Sequence, residues 1–210
     1  MKVIATNISK GTTINWHGKE EKTGIFKTPT TAPIFLSKTD VEKDTVVDRK
    51  YHGGLDKACY LFSAEEYTYW KELYSNLDWD WGMFGENLSI EGLDEAQIRI
   101  GDIYRIGSAL VQISQPREPC YKLGVRFQTQ NILKQFIDRS YPGTYVRILE
   151  EGLVSQGDSM ILEEQSENSL TVQQFYILLF AKTKSKELLH LAMKNKALPL
   201  KKRESLEKYL

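Results

Sequence analysis

The sequence has few of the residues that define metal-rich or disulfide-bonded proteins. Its 210 residues include two cysteines, Cys59 and Cys120, and three histidines. No CxxC or clustered Cys/His pattern occurs, so a zinc site is not expected. A reducing compartment would keep both cysteines as thiols.

Long hydrophobic runs are also absent. The longest apolar run lies in FYILLFA, residues 175–181, and is far too short to span a bilayer. The opening residues, MKVIATNIS, lack the apolar stretch and cleavage site of a secretory signal. We therefore expect a cytoplasmic protein with no membrane partner.

Neither sign of charge is in excess, because 28 basic residues balance 28 acidic ones. The distribution along the chain is nevertheless uneven. Residues 168–210 contain nine Lys or Arg against three Glu, a net charge of +6, so the rest of the chain has a net charge of −6. This asymmetry predicts a boundary near 165–169, with one domain over 1–165 and a second over 168–210.

The first of these regions has the pattern of a β-rich domain. Short runs of alternating apolar and polar residues recur between turn residues, which is typical of a barrel or sandwich. Two helices are predicted between the strands, over 63–75, where Ser63-x-x-Glu66 forms a capping box, and over 131–140. The predicted strands cover 3–9, 32–37, 58–62, 97–100, 102–106, 109–114, 144–149 and 159–163.

The second region has a helical pattern. Helices are predicted over 171–182, 185–195 and 199–210, and Thr171-x-x-Gln174 forms a capping box for the first of them. A unit of about 40 residues is near the lower limit for folding alone. We expect it to pack against the β-rich domain.

The stretch QPREPC, residues 115–120, is the strongest chemical signal. Two prolines restrict the backbone around a cysteine, and Arg117 and Lys122 place positive charge beside it. Positive charge favours the thiolate, which is both a nucleophile and a soft metal ligand. The alternative is that Cys120 is a buried structural cysteine, which is the reading we favour for Cys59 within ACYLF.

Three further side chains are candidates for binding a ligand. His52 precedes two glycines in RKYHGGLDKACY, where backbone N–H groups can approach an anion, although a hairpin turn is the more common explanation of two glycines. Asn87 follows Gly85-Glu86, where an Asn is more often a turn former than a ligand contact. Lys27, in GIFKTP, is one more cation near a proline, although a lone lysine is usually solvated.

Taken together, these motifs resemble those of the MOSC domain proteins, relatives of the molybdenum cofactor sulfurase C-terminal domain. The resemblance lies in YHGGxDKA, GENLxxxGL, IGDxxRxGxAxxQxSQPRxPCYKL and the later YVRILEEGLV, taken in this order. It is closer to the YiiM-like branch, which adds a C-terminal domain of three α-helices. The implied fold is mainly β with α, a MOSC β-barrel-like domain over 1–165 and a small three-helix domain over 168–210.

The resemblance also implies a cofactor and an activity. MOSC domains bind molybdenum cofactor, and the family cysteine, matched by Cys120, would be a ligand to molybdenum or a carrier of sulfur. Lys27, His52, Asn87 and Arg117 would contact the cofactor, and His52 could instead donate a proton. The implied reaction is reduction of N-hydroxylated compounds such as 6-hydroxyaminopurine. It would be a detoxification, with electrons from a separate reductase protein.

Two other functions stay open at this point. A non-enzymatic carrier of molybdenum cofactor or sulfur would need Cys120 but no turnover. A nucleic-acid-binding module is suggested by the basic helices of 168–210, although their charges are spread over several helices and are more typical of a solvated face.

Overall fold

A computed structural model of the protein describes residues 1–49 and 52–210. Lys50 and Tyr51, which belong to the RKYHGGLDKACY stretch, lie outside the described residues. No helix in these two ranges has the length and apolar character needed to cross a bilayer.

Across the described residues the chain forms twelve strands and six α-helices. The strands are β1 (Lys2–Ile8), β2 (Thr12–Trp16), β3 (Lys19–Thr23), β4 (Thr28–Thr30), β5 (Ile34–Leu36), β6 (Cys59–Ser63), β7 (Leu88–Glu91), β8 (Ile103–Ile106), β9 (Ala109–Pro116), β10 (Thr144–Glu150), β11 (Gly152–Val154) and β12 (Met160–Glu164). The helices are α1 (Glu66–Leu73), α2 (Tyr121–Arg126), α3 (Asn131–Arg139), α4 (Val172–Phe180), α5 (Lys186–Lys194) and α6 (Leu200–Glu207).

Eight strands form the main sheet, in the order β12-β8-β9-β10-β6-β7-β1-β4. Neighbouring strands are antiparallel except β6 and β7, which are parallel. The backbone N–H of Val3 donates to Asp158 O at 2.9 Å, and that of Met160 donates to Met1 O at 2.9 Å. These bonds join β1 to the start of β12, so the sheet closes on itself as a barrel-like structure.

A second, smaller pairing forms a hairpin from β2 and β3. His17 and Gly18 join the strands with φ values of 49° and 76°. Two successive positive φ values are the signature of the tight hairpin turn whose twist matches that of the strands. The sequence prediction missed this hairpin because few of its residues are apolar. The other small pairing joins β5 to β11.

An aromatic cluster lies where α1 and α3 pack on the sheet. Trp70, Phe84 and Phe136 are almost completely buried, and the ring centroids of Trp70 and Phe136 are 5.9 Å apart. This cluster lies under Arg117, whose guanidinium is 5.9 Å from the Phe136 ring centroid. The aromatic cluster therefore packs beneath the QPREPC segment and supports it.

The three C-terminal helices share the main hydrophobic core with the sheet. Val172 and Phe175 of α4 and Leu189 of α5 are buried in the same cluster as Val111 and Ile148 of the sheet. The predicted capping box is confirmed, since Gln174 N donates to Thr171 Oγ1 and Thr171 N to Gln174 Oε1, both at 3.1 Å. Division into two domains near 165–169 stays a prediction.

The predicted fold class is confirmed, a barrel-like sheet with helices and a three-helix C-terminal region, but two local predictions are wrong. Residues 97–100 are not a strand: Ile98 and Ile100 are buried, but the segment makes only a single bridge, from Arg99 to Thr171. Ser63 is not the cap of α1, because it ends β6 and its hydroxyl donates to Glu65 at 2.8 Å.

Candidate functional site

All five predicted site residues line one cleft. The cleft is partly open to solvent, so a ligand can enter it. Its walls come from the ends of strands and the loops beside them, where side chains can face a ligand. The five residues are Lys27, His52, Asn87, Arg117 and Cys120. Their proximity is a property of the fold, and their roles stay predictions.

Arg117 is the most deeply buried cation of the cleft, with 3% of its surface exposed. Its guanidinium donates to the carbonyl of Phe84 and lies 5.0 Å from the ring centroid of Tyr60. Burial alone would lower the pKa of Arg117, but Tyr60, Tyr145 and Cys120 raise it, and the net shift is upward. Arg117 therefore stays charged.

No carboxylate neutralises this charge within the described part of the chain. The ion pairs among residues 1–49 and 52–210 do not include Arg117. A buried charge is costly unless it is paired or coordinated. Arg117 beside a cleft is therefore well suited to bind an anion from outside the protein.

Cys120 and Cys59 lie in different environments. Cys120 immediately precedes α2, in an extended conformation, and is half-buried at the wall of the cleft. Cys59 is 1% exposed within β6, and burial raises the pKa of its thiol. The structural interpretation of Cys59 agrees with this burial, whereas Cys120 is accessible to a ligand.

Lys27 and Asn87 meet at a buried carboxylate that the sequence analysis missed. Lys27 forms an ion pair with Asp44, and Asn87 Nδ2 donates to Asp44 Oδ2 at 3.0 Å. The other oxygen of Asp44 accepts from Ser9 N at 2.7 Å, and Asn87 Oδ1 accepts from Tyr60 N at 3.2 Å. Both predicted contacts are thus already held in a network, and Asp44 offsets the charge of Lys27.

His52 faces Tyr145, with 3.2 Å between Nδ1 and the phenol oxygen. Burial, followed by the charges of Arg117, Lys57 and Lys122, lowers the pKa of His52 to about 4. The imidazole is therefore neutral at pH 7. A role as proton donor would require a bound anion to raise this pKa, because an opposite charge favours the protonated form.

The comparison with known proteins identifies the family. The family model described as the MOSC domain matches residues 48–161, which is more than half of the chain. This range contains His52, Asn87, Arg117 and Cys120. The chain belongs to the MOSC domain family.

Its similarity to known proteins extends beyond the matched domain. It is 39% identical over 171 residues, 81% of this chain and 77% of the other, to "Uncharacterized protein YflK" of Bacillus subtilis. The crystal structure of YiiM from Geobacillus stearothermophilus superposes with a TM-score of 0.83 at 31% identity, covering 100% of this chain and 98% of that one. The YiiM-like resemblance is therefore confirmed.

A fungal protein is matched over a small part of its length. "Reductase" of Gibberella moniliformis is 32% identical over 173 residues, which are 79% of this chain and 29% of that protein. Most of the fungal protein thus lies outside the part that resembles this MOSC chain.

The GEN segment of this MOSC chain has a structural role. Glu86 is fully buried and accepts from Gly82 N at 2.8 Å, Phe84 N at 3.1 Å and the hydroxyl of Ser89 at 2.8 Å. Gly85, with φ of 76°, lets the chain turn back toward the carboxylate. Glu86 therefore fixes the loop that presents Asn87 and the carbonyl bound by Arg117.

The MOSC cleft also contains charged residues that were not among the five predicted. Lys57 and Lys122 lie in the motif stretches, so the sequence alone could have identified them as candidate site residues. Asp44 and Asp48 have no such signal in the sequence. Among the described lining residues, four cations, Lys27, Lys57, Arg117 and Lys122, face two carboxylates, Asp44 and Asp48, a formal charge of +2.

Proposed function

We propose that this protein binds molybdenum cofactor and reduces N-hydroxylated compounds of the 6-hydroxyaminopurine type. The observation that carries the proposal is Arg117, a buried cation with no carboxylate partner among the described residues, in the same cleft as the accessible Cys120. MOSC domains as a family are associated with this cofactor. The resemblance to the YiiM-like branch suggests the substrate.

The residues present fit the cofactor in charge and in ligand chemistry. The cofactor combines an anionic phosphate with a metal that accepts soft sulfur, and when bound it supplies the electron transfer to the substrate. A cleft with formal charge +2 favours the phosphate, with Arg117 as its strongest contact because guanidinium binds phosphate well. Cys120 would supply sulfur to molybdenum. Lys27 and Asn87 would contact the cofactor from the Asp44 network.

The reaction also needs protons that the chain must deliver. Reduction of R–NH–OH to R–NH₂ and water consumes two electrons and two protons, and the N–O bond is broken. His52 is the candidate proton donor, because its ring lies in the cleft and hydrogen-bonds with Tyr145. Bound phosphate would raise the pKa of His52 toward the range in which imidazole transfers protons.

The electrons would come from a separate reductase protein. The fungal relative named "Reductase" is about three times as long as its matched region. A long additional segment in one relative supports the idea that the shorter chain works with a second protein. We propose a detoxifying role for the pair.

A carrier of cofactor or sulfur is the second candidate. It is favoured by the half-buried position of Cys120 at the wall of an open cleft, where a partner could reach the sulfur. The carrier would bind molybdenum or sulfur without consuming an N-hydroxylated substrate. Turnover with a supplied electron donor therefore distinguishes the two candidates.

Metal analysis tests the cofactor claim first. Protein from a host that makes molybdenum cofactor is expected to contain about one molybdenum per chain in the wild type, and much less in Cys120→Ser and Arg117→Met. Cys59→Ala is the matched control, since it removes the other thiol away from the cleft, and it should retain the metal. Wild-type protein without molybdenum, despite demonstrated cofactor supply, would contradict the proposal.

A further inference from the structure

Tyr145 lines the cleft from a fixed position in the main sheet. It lies on β10, where it is opposite Gln115 of β9 on one side and Tyr60 of β6 on the other. Tyr145 is 7% exposed, and its ring centroid is 5.2 Å from that of Tyr60. A residue held by strands on both sides can position a neighbouring group precisely.

His52, in contrast, lies in the segment between β5 and β6. Its backbone N–H donates to Asp48 O at 2.9 Å, and Gly53 and Gly54 follow it with φ values of 72° and 82°. Within the described part of the chain, the imidazole hydrogen-bonds with the hydroxyl of Tyr145, 3.2 Å from Nδ1, and with no other residue. Tyr145 is therefore the residue that fixes the orientation of the His52 ring.

The hydroxyl of Tyr145 also determines which imidazole nitrogen carries the proton. Burial raises the pKa of Tyr145 to about 12, so at neutral pH the phenol has a hydrogen to donate. Among residues 1–49 and 52–210, the hydroxyl has Nδ1 of His52 as its one hydrogen-bond partner. A buried donor without an acceptor is costly, so Tyr145 donates to Nδ1, and the single proton of the neutral ring is on Nε2.

Nε2 of His52 is the nitrogen that a ligand can reach. It makes no hydrogen bond to a described residue, yet it is not among the buried polar atoms that lack a partner. It is therefore accessible from the cleft that His52 lines. An N–H group at this position can donate a hydrogen bond to a ligand oxygen, whereas an unprotonated Nε2 would repel an anionic oxygen through its lone pair.

We propose that Tyr145 is a positioning residue, whose hydroxyl holds neutral His52 in the tautomer with the proton on Nε2. His52 then presents an N–H group to the cleft and donates a hydrogen bond to an oxygen atom of the bound ligand. In this state Nε2 is a donor and not a base. The role of Tyr145 in catalysis rests on the proposed function, whereas the tautomer is a property of the chain itself.

Nitrogen NMR of the imidazole tests the tautomer directly. Protonated and unprotonated ring nitrogens have different ¹⁵N shifts, and the ring is neutral at pH 7 because burial lowers the pKa of His52 to about 4. In protein labelled with ¹⁵N-histidine, His52→Gln identifies the His52 signals by removing them. The wild type is expected to have an unprotonated Nδ1 and a protonated Nε2 at His52. A protonated Nδ1 in the wild type would overturn the proposal.

Tyr145→Phe removes the hydroxyl and keeps the ring. Without the donor to Nδ1, the ratio of the Nε2–H to the Nδ1–H tautomer should fall about tenfold, and the Nδ1 shift should move toward its protonated value. An unchanged ratio contradicts the role of the hydroxyl. If this variant does not fold, the wild-type spectrum still decides which nitrogen is protonated.

Tyr104→Phe is the matched control for the loss of a buried hydroxyl. Tyr104 is buried and donates to Asp102 Oδ2 at 3.4 Å, and it does not line the cleft. Tyr104→Phe should leave the His52 shifts at their wild-type values. Equal changes in Tyr104→Phe and Tyr145→Phe would show a general effect on the fold and overturn the assignment to Tyr145.

Turnover by the molybdenum-loaded protein tests the role of Tyr145 in the reaction. With 6-hydroxyaminopurine as substrate, Tyr145→Phe should lower kcat about tenfold, because the donor is no longer held in position, and it should retain molybdenum. An unchanged kcat would overturn the catalytic role of Tyr145. Wild-type protein that holds no molybdenum overturns the proposed function, while the NMR spectra, which need no cofactor, still decide the tautomer.

Discussion

Lys27 and Asp44 form an ion pair in which both side chains are nearly inaccessible, 7% and 3% exposed. Asn87 and the backbone of Ser9 complete the hydrogen bonds of the carboxylate. This pair joins the loop before β4 to the segment that carries Asp48, and both line the cleft. It therefore fixes the shape of the inner wall as well as its charge.

Breaking this pair from one side should destabilise the protein strongly. Lys27→Met leaves Asp44 as an unpaired buried carboxylate, and we expect the free energy of unfolding to fall by about 3–5 kcal/mol. Urea denaturation of Lys27→Met, Asp44→Asn and the double variant measures the coupling. The double variant should be more stable than Lys27→Met. If its loss of unfolding free energy equals the sum of the two single losses, Lys27 and Asp44 are not coupled.

The two thiols should differ sharply in reactivity. Cys120 lines the cleft, whereas Cys59 is 1% exposed and has a pKa raised by burial. Alkylation with iodoacetamide at pH 8 should modify one thiol per native chain quickly and the second only after denaturation. Mass spectrometry of the digested protein should find the fast label on Cys120. A fast label on Cys59 would contradict the assigned burial.

The sequence located the five candidate residues through motifs, but it could not locate their partners. Arg117 and Cys120 stand in a segment with two prolines, and this local signal can be recognised in the sequence without knowledge of the fold. Asp44 lies in a stretch of mixed charges where nothing distinguishes it from Glu42 or Asp40. Its role depends on the loop folding against Lys27, a contact between segments 17 residues apart.

The errors in secondary structure have the same origin. The alternation of Ile98 and Ile100 fits a strand and both side chains are buried, yet the segment pairs only at the Arg99–Thr171 bridge before Gly101, with φ of 106°, turns the chain. The β2–β3 hairpin was missed because its strands, TTINW and KEEKT, are mostly polar. Such strands are stabilised by pairing with each other rather than by a buried face. A local sequence pattern therefore fails to predict secondary structure where tertiary contacts determine it.

Gly24 should tolerate no side chain. A Cβ at this position would lie 1.8 Å from the carbonyl oxygen of Thr45, so the backbone of one cleft wall would have to move. Gly24→Ala should lower the free energy of unfolding and weaken molybdenum retention together. Gly18→Ala is the matched control, because nothing lies within 4 Å of its Cβ and its cost is limited to a positive φ. Wild-type stability in Gly24→Ala would contradict the close approach.

His52 should make stability depend on pH in a defined window. Its pKa in the folded protein is about 4, against 6.5 for an unperturbed imidazole, so the unfolded chain binds more protons between these values. The stabilising contribution of the neutral ring is fully present above pH 6.5 and is lost as the pH falls toward 4. His52→Gln should therefore lose less stability than the wild type between pH 6.5 and 4, as measured by urea denaturation across this range.

An anion bound at Arg117 should change the pH range over which His52 affects stability. Arg117, Lys57 and Lys122 lower the pKa of His52 after burial, and Asp48 opposes them. Phosphate bound in the cleft beside Arg117 would offset the three cations, so the pKa of His52 should rise. NMR titration of the His52 ring with and without inorganic phosphate measures this directly, and Arg117→Met should abolish the phosphate effect. If phosphate leaves the pKa of His52 unchanged in the wild type, the cleft does not bind phosphate near the imidazole, and His52 has no means of becoming a proton donor at neutral pH.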